Sequence, residues 1–472
     1  LCSRLGIRNT MILILCIYAS GFLLLTFNRA VAIALVCLAF GHGTITTLMP
    51  IVVRTIFGGR EYAAIWSVVI SCGSIASFLA TPLWGMVYDI FGTYLPALLA
   101  MPVFLGNVFQ QLYNAFDAWC VGNYIGDEAL AAVSSSGSLI FMLIGFFNGL
   151  AMGAGVVISQ FYGARRYQEV EDTVHTAILL TGLMALAFMV VGNIMTPAML
   201  CLMNTPEEVF PESEAYLRIY FTGVSGLMFY NIGSGILRAV GDSTRPFYFL
   251  VVSALLNVGL DLLFVLVLDM GVSGVALATV LSQGISAILI LITLMISDSC
   301  IKLKLYRLRI HWSMLRKICT VGIPAALQMT ITSFSNVFVQ SYINYFGADC
   351  MSGWTTYSKV DQLIFLPMQS IALASTTFVG QNLGKNQVDR AKQGVRKAAS
   401  MAVASTVILC IPVVIFAPGI VAFFNDKPEV VEYGTLLLRW LSPFYVLCCF
   451  NQVYASALRG AGNSKAPMVI ML

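Results

Sequence analysis

The sequence predicts an all-α, polytopic membrane protein with two parallel, pseudo-symmetric helical lobes, preceded by about three further helices. Three observations lead to this prediction. Of the 472 residues, 59% are hydrophobic and only 10% are charged, with a mean hydropathy of +0.87. The apolar residues form about thirteen runs that are long enough to cross a bilayer. Finally, the chain after residue 97 contains an internal repeat, in which equivalent residues lie 221 positions apart.

The charged residues indicate a membrane protein rather than a nucleic-acid-binding one. The net charge is only +4, and the basic residues lie in alternate short loops, which we place in the cytoplasm by the positive-inside rule. We therefore expect the partners to be the lipid bilayer of the cell membrane and small molecules, with no nucleic acid and no obligate oligomer.

Motifs for metal binding and catalysis do not occur in the sequence. The 12 cysteines and 3 histidines show no metal-ligand spacing, and neither HExxH nor GxSxG is found. We expect no metal centre, no organic cofactor and no enzymatic activity.

Residues 1–96 contain three predicted spans, at about 11–28, 31–53 and 62–88. Their glycine-containing segments, residues 39–43 and 81–94, resemble a late part of a major facilitator superfamily transporter. Loop charges place the end of the third span outside the cell, whereas the helix that follows needs to begin in the cytoplasm. Because one segment cannot meet both requirements, we expect this fragment to be joined to an unrelated protein, by natural fusion or as an artefact.

The repeat defines the organisation of the remaining chain. Gln160 returns as Gln381, and residues 237–243 return as 458–464, all at the same offset of 221. An even number of spans in each copy makes the two lobes parallel. Ten spans are predicted in this part of the chain, at about 98–124, 134–161, 174–198, 215–238, 247–270, 273–297, 321–346, 359–382, 398–424 and 434–458.

We assign residues 97–300 to a first lobe of six helices and residues 318–472 to a second lobe. The first copy continues for two further spans beyond the point that corresponds to Leu472. We therefore expect the second lobe to contain four of six helices and the start of a fifth. Residues 301–317 alternate basic and apolar side chains, and we interpret them as an interfacial cytoplasmic helix that links the lobes.

One carboxylate lies near the middle of an apolar span. Asn257 and Asp261 are four residues apart within the run 247–270, so a helix places them on one face. An acidic group at this depth is costly to insert and commonly marks a functional site. The same pair also suits hydrogen bonding between packed helices, and the residues alone leave both interpretations open.

Four segments carry a resemblance to a known family. They are residues 105–114 followed by Asp117, residues 153–163 (GAGVVISQFYG), residues 237–241 with Pro246, and residues 376–384 (TTFVGQNLG). In this order and spacing they resemble the multidrug and toxic compound extrusion (MATE) family. The resemblance covers residues 97–472.

The resemblance implies secondary transport of cationic or amphipathic organic compounds out of the cell, by alternating access and driven by inward H⁺ or Na⁺. It implies a cation or proton site in the first lobe, formed by Asp117, Asn257, Asp261 and Thr279. The alternatives are a lipid-linked oligosaccharide flippase of the same superfamily and a non-functional fused fragment.

The remaining site predictions concern a bending helix and the substrate cavity. The resemblance implies that the helix containing Pro102 bends during transport, and proline favours such a kink. Eight polar residues are candidates for lining a substrate cavity between the lobes: Gln110, Gln111, Tyr113, Asn114, Asn148, Asn231, Gln283 and Gln328. In the second lobe, Lys359 and Asp361 are expected to form an interfacial ion pair at the outer end of a helix.

Overall fold

The computed structural model describes residues 102–111, 121, 127–202, 207, 209–425 and 427–471. The chain divides into two compact units, Leu1–Asp89 and Ile90–Leu472, and all described residues belong to the second. The helices and the fusion predicted for residues 1–96 lie outside the described residues. The described part is α-helical without strands, which confirms the predicted fold class.

The first lobe contains seven described helices or helix segments. They are α1 (102–111), α2 (Asp127–Gly163), α3 (Tyr167–Leu202), α4 (Phe210–Thr222), α5 (Val224–Ala239), α6 (Thr244–Leu262) and α7 (Gly271–Ile296). The predicted span 215–238 is thus two helices that meet at Gly223. A Cβ atom at Gly223 would lie 2.0 Å from Val280 Cγ1, so only glycine allows α7 to approach this break.

The second lobe repeats the same order. It consists of α8 (Trp312–Tyr345), α9 (Ala348–Gly384), α10 (Val388–Ile415), α11 (Ala417–Phe424), α12 (Pro428–Leu441), α13 (Tyr445–Gly460) and α14 (Lys465–Met471). A 3₁₀ turn, Ser442–Phe444, separates α12 from α13. This turn stands 221 residues after the break at Gly223, so the two copies share their interruption as well as their helices.

Hydrophobic length supports the membrane assignment. Seven helical segments of the described chain are long and apolar enough to cross a bilayer. They are Ile144–Gly163, Tyr167–Cys201, Thr244–Val267, Gly271–Ile296, Asp349–Gly384, Val388–Ile415 and Pro428–Gly460. Many large apolar side chains along them are exposed, among them Ile194 and Val267 at 71%. Such surfaces suit a lipid environment.

The linker between the lobes is not the interfacial helix that we predicted. Only Leu305–Arg307 is helical, as one 3₁₀ turn, before α8 begins at Trp312. Ile301 and Leu303 are buried in the first lobe, while Lys304 Nζ bonds Glu171 of α3 at 3.0 Å. Apolar residues two positions apart fit an extended chain, whose side chains alternate between faces, better than a helix.

Glycines bring α2 of the first lobe into contact with α8 of the second. A Cβ atom at Gly149 would lie 2.4 Å from the Ala326 nitrogen, and one at Gly153 would lie 2.6 Å from the Ile318 carbonyl oxygen. Small residues at four-residue spacing allow two helix backbones to approach closely in a membrane. The spacing of these glycines therefore serves packing between the lobes.

We predict that Gly149→Ala destabilises the protein and that Gly145→Ala does not. A Cβ atom at Gly149 meets backbone, whereas one at Gly145 meets only the Met329 Cβ at 3.4 Å, an ordinary contact. Overpacking at a backbone contact costs about 1–3 kcal/mol. The measurement is the thermal unfolding midpoint of each variant in detergent. Equal midpoints for the two variants would contradict this description of the α2–α8 interface.

Candidate functional site

The polar face of α6 is buried. Asn257 and Asp261 have relative exposures of 1% and 0%, although the segment Thr244–Val267 is apolar enough to span a membrane. A carboxylate at the centre of such a segment costs about 3 kcal/mol on insertion scales. This face of α6 therefore points into protein rather than lipid, as a functional acid requires.

The backbone widens directly after Asp261. Residues Leu263–Val267 form a π-helical turn, in which the Leu268 N–H donates to the Leu263 carbonyl at 3.0 Å. Such turns insert one residue into an α-helix, redirect the neighbouring side chains and occur frequently at functional sites. Hydropathy gave no signal for this turn, because the insertion leaves the apolar run unchanged.

Oxygen atoms suited to a cation are available on α6 and α7. Thr279 is 6% exposed, and its hydroxyl donates to the Val275 carbonyl at 3.0 Å, so its oxygen lone pairs remain available. The Asn257 side-chain amide has no hydrogen-bond partner among the described residues. Carboxylate, amide and hydroxyl oxygens are all ligands for hard cations. Of these three groups, only the carboxylate of Asp261 can bind a proton.

Three of the four residues predicted for the cation site are thus buried on two helices that pack against each other. Asp117, the fourth, lies outside the described residues. The described part of the chain contains no group of three or more His, Cys, Asp or Glu residues with metal-binding geometry. Pro102 is the first residue of α1 that the structure describes. A bend of the chain before Pro102 would therefore fall outside the described residues.

The candidates for the substrate cavity differ in exposure. Asn231 donates its side-chain N–H to the Leu227 carbonyl at 3.0 Å and keeps its amide oxygen for other partners. Tyr113 and Asn114 lie outside the described residues. Five candidates have partly or fully exposed side chains: Gln110, Gln111, Asn148, Asn231 and Gln283.

Gln328 was predicted to line the cavity, but the structure buries it beside Arg459 of the same lobe. Its exposure is 5%, and its Oε1 accepts a hydrogen bond from Arg459 Nη2 at 3.2 Å. Arg459 is 7% exposed and also donates to Ser456 Oγ at 3.5 Å. Because a buried guanidinium needs acceptors, the amide oxygen of Gln328 serves this arginine rather than an open cavity.

The predicted ion pair between Lys359 and Asp361 is wrong. Asp361 accepts hydrogen bonds from the hydroxyl groups of Tyr357 and Tyr445. The Lys359 ammonium instead lies 5.4 Å from the centre of the Phe424 ring. Residues two apart in a helix do not face each other, which explains why the two charges separate.

A symmetric pair of hydrogen bonds joins the lobes at the end that loop charge assigns to the cytoplasm. Gln160 of α2 donates to the Gly460 carbonyl at 2.9 Å, and Gln381 of α9 donates to the Ala239 carbonyl at 2.8 Å. Donors and acceptors are each related by the offset of 221. We refer to these two bonds as the glutamine latch.

Glycines allow the latch to form. A Cβ atom at Gly163 would lie 2.1 Å from the Gln381 carbonyl oxygen, and one at Gly384 would lie 2.1 Å from the Gln160 carbonyl oxygen. The two glycines, and the two glutamines that they approach, are again related by the offset of 221. The repetition of Gln160 as Gln381 was visible in the sequence, but a repeated residue does not reveal that its partner belongs to the other lobe.

Comparison with known proteins identifies relatives along most of the chain. A family model described as MatE matches residues 102–263 and 324–472. The chain is 30% identical over 376 residues to "Probable multidrug resistance protein YpnP" of Bacillus subtilis, covering 79% of this chain and 84% of that one. It is 23% identical over 389 residues to "FAD transporter" of Shewanella oneidensis, covering 79% and 83%.

The fold is also similar to solved structures. One of these is described as the outward-facing conformation of a multidrug resistance MATE family transporter of the MOP superfamily. It superimposes with a TM-score of 0.75 at 25% identity, and the match covers 80% of this chain and 84% of that one.

We predict that Gln160→Ala and Gln381→Ala each loosen the contact between the lobes. Each removes one neutral hydrogen bond, worth about 1 kcal/mol, which corresponds to a roughly five-fold increase in the open population. Hydrogen–deuterium exchange at the C-terminal ends of α2, α9 and α13 measures this increase. The control is Gln168→Ala, since Gln168 is exposed and its side chain bonds Asp172 of the same helix. Equal exchange in all three variants would show that the bonds do not hold the lobes together.

Proposed function

The chain belongs to the MatE family of multi-pass cell-membrane transporters, which are not enzymes; from this premise we propose that it exports amphipathic or cationic small organic compounds in exchange for H⁺ or Na⁺. The relatives named as multidrug resistance proteins support this class of substrate. The partly exposed polar residues of α1, α2, α5 and α7 are the groups that would contact it.

The burial of Asp261 is the observation that carries the proposal of ion coupling. An ionised carboxylate with no exposure favours a bound cation, and binding a proton removes the charge altogether. Asn257 and Thr279 supply neutral oxygens beside it, which a bound Na⁺ would use. Binding of either ion changes the electrostatic free energy of the first lobe and so couples its conformation to the ion, while the gradient of that ion across the membrane supplies the free energy for export.

Alternating access requires an interface that opens and closes. The glutamine latch closes the cytoplasmic end with two neutral hydrogen bonds, whose combined contribution of about 2 kcal/mol is small enough to be overcome during each cycle. The resemblance to an outward-facing transporter supports assigning this closed end to the outward-facing state.

A second candidate is transport of an anionic compound, such as the phosphate-bearing carrier of a lipid-linked oligosaccharide. The buried guanidinium of Arg459, which lies 4.0 Å from Met152 Sδ of the first lobe, favours it, and one relative is named as an FAD transporter. We rank this candidate lower because Gln328 and Ser456 already accept hydrogen bonds from Arg459. Export of an anionic dye but not of ethidium would reverse the ranking.

We predict that Asp261→Asn abolishes ion-driven efflux without loss of folded protein. The amide keeps the shape of the carboxyl group but binds neither H⁺ nor Na⁺ with comparable affinity, so the rate should fall at least about tenfold. The measurement is ethidium efflux from liposomes containing the 472-residue chain. Asp298→Asn is the matched control, since this side chain is 97% exposed in a loop. Undiminished efflux by Asp261→Asn would exclude Asp261 from coupling, and a lack of efflux by the unaltered chain would favour a non-functional fragment.

Thr279→Val separates the two coupling ions. Valine keeps the volume of threonine but removes an oxygen ligand, which matters for Na⁺ and not for proton binding at a carboxylate. We expect efflux driven by an imposed sodium gradient to fall severalfold in this variant, while efflux driven by an imposed proton gradient is unchanged. Loss of both activities would mean that Thr279 has a structural role.

A further inference from the structure

A second acid within a membrane-spanning helix lies in the other lobe, among tyrosines rather than basic residues. Asp361 of α9 accepts hydrogen bonds from Tyr357, one turn earlier, and from Tyr445, the first residue of α13. The two hydroxyl oxygens lie 3.0 Å from each other. Both tyrosines belong to the core of the second lobe, and we refer to the three residues as the tyrosine–aspartate cluster.

Within the described part of the chain, the cluster has no counter-ion. Among the residues that the structure describes, no Lys, Arg or His forms an ion pair with Asp361, and Lys359 is directed at Phe424. Of the titratable groups on the helices packed around it, the thiol of Cys448 in α13 interacts with Asp361, and the thiol of Cys410 in α10 lies in the same core. A carboxylate with neutral neighbours in a membrane-spanning helix can lose its charge only by binding a cation.

The geometry selects a proton as that cation. Both hydroxyl groups donate to the same carboxylate oxygen, Oδ1 of Asp361. The side of this oxygen that faces the tyrosines therefore holds hydrogens, whereas a metal ion bound there would have to be surrounded by oxygen lone pairs. A proton needs only one carboxylate oxygen.

Asp361 lies 23 residues before the cytoplasmic end of α9 at Gly384. This is about 34 Å along the helix and places Asp361 near the outer boundary of the bilayer. Its side chain is partly exposed, so water outside the cell can deliver the proton.

We propose that Asp361 is a second proton-binding site, in the second lobe, which controls the attachment of α13 to α9. This inference rests on the proposed coupling of export to a cation. Binding of one proton converts the carboxylate to a neutral carboxyl group, and both tyrosines remain protonated. The bond from Tyr445 then changes from a charge-assisted to a neutral hydrogen bond, which is about half as strong.

The position of α13 gives this change a consequence at the cytoplasmic end. Tyr445 begins the helix and Gly460 ends it, so one element of about 22 Å joins the cluster to the glutamine latch. Gly460 is the acceptor for Gln160 of the first lobe. Protonation of Asp361 near the outer surface therefore loosens the N-terminal end of α13. The C-terminal end of the same helix takes part in the glutamine latch, which closes the cytoplasmic side.

Two variants of the full chain in liposomes test the proposal. Asp361→Asn mimics the protonated form, and its amide oxygen still accepts from the tyrosines, so we expect folded protein. Ethidium efflux should continue with a flattened dependence on external pH. Tyr445→Phe keeps the carboxylate but removes a donor, and we expect the acidic limb of the pH profile to shift by about one pH unit, a tenfold change in proton affinity.

Infrared difference spectroscopy of the purified protein provides a readout that does not depend on transport. Acidification should produce the carbonyl band of a protonated carboxyl group, and this band should be smaller in Asp361→Asn than in the control Asp298→Asn. A band of equal size in the two variants would overturn the proposal. So would a pH profile of Asp361→Asn identical to that of the unaltered chain. If no variant transports ethidium but the band still depends on Asp361, the proposed substrate is wrong and the proton site stands.

Discussion

The cost of keeping a carboxylate inside an apolar helix is the constraint on which the rest of the structure depends. Asp261 is completely buried in a segment that is otherwise suited to lipid. Such a group persists only where protein, water or a bound cation replaces its hydration. The face that it shares with Asn257 therefore has to point into the lobe. Packing of α6 on α7, with Thr279 buried on the facing helix, follows from that requirement.

The internal repeat determines how the lobes meet. A glutamine in each copy donates to a carbonyl in the other, so this contact occurs twice: Gln160 with Gly460, and Gln381 with Ala239. Glycines at equivalent positions remove the side chains that would separate the backbones. The resulting interface combines tight packing with few strong bonds, which suits two bodies that move against each other. The acid sites lie within the separate lobes, and they influence this interface through the helices that reach it.

The sequence was sufficient for the fold class, the repeat and the burial of Asn257 with Asp261, because each produces a regular pattern along the chain. The linker was predicted incorrectly because its basic residues suggested an interfacial helix, whereas the period-two pattern of Ile301 and Leu303 was the better guide. Two distant partners were also missed: Tyr445, which bonds Asp361, and Arg459, which bonds Gln328. They lie 84 and 131 residues away, and one sequence contains no information on which distant helices become neighbours.

The central claim is that a substrate and a cation compete for the protein through Asp261. The most direct test is the release of ions when ethidium binds to the purified chain in weakly buffered detergent solution, followed with pH- and sodium-sensitive electrodes. The account predicts that binding releases H⁺ or Na⁺ and that Asp261→Asn, although it still binds ethidium, releases substantially less. Ethidium binding without ion release by the unaltered chain, or equal release by the variant, would contradict the claim.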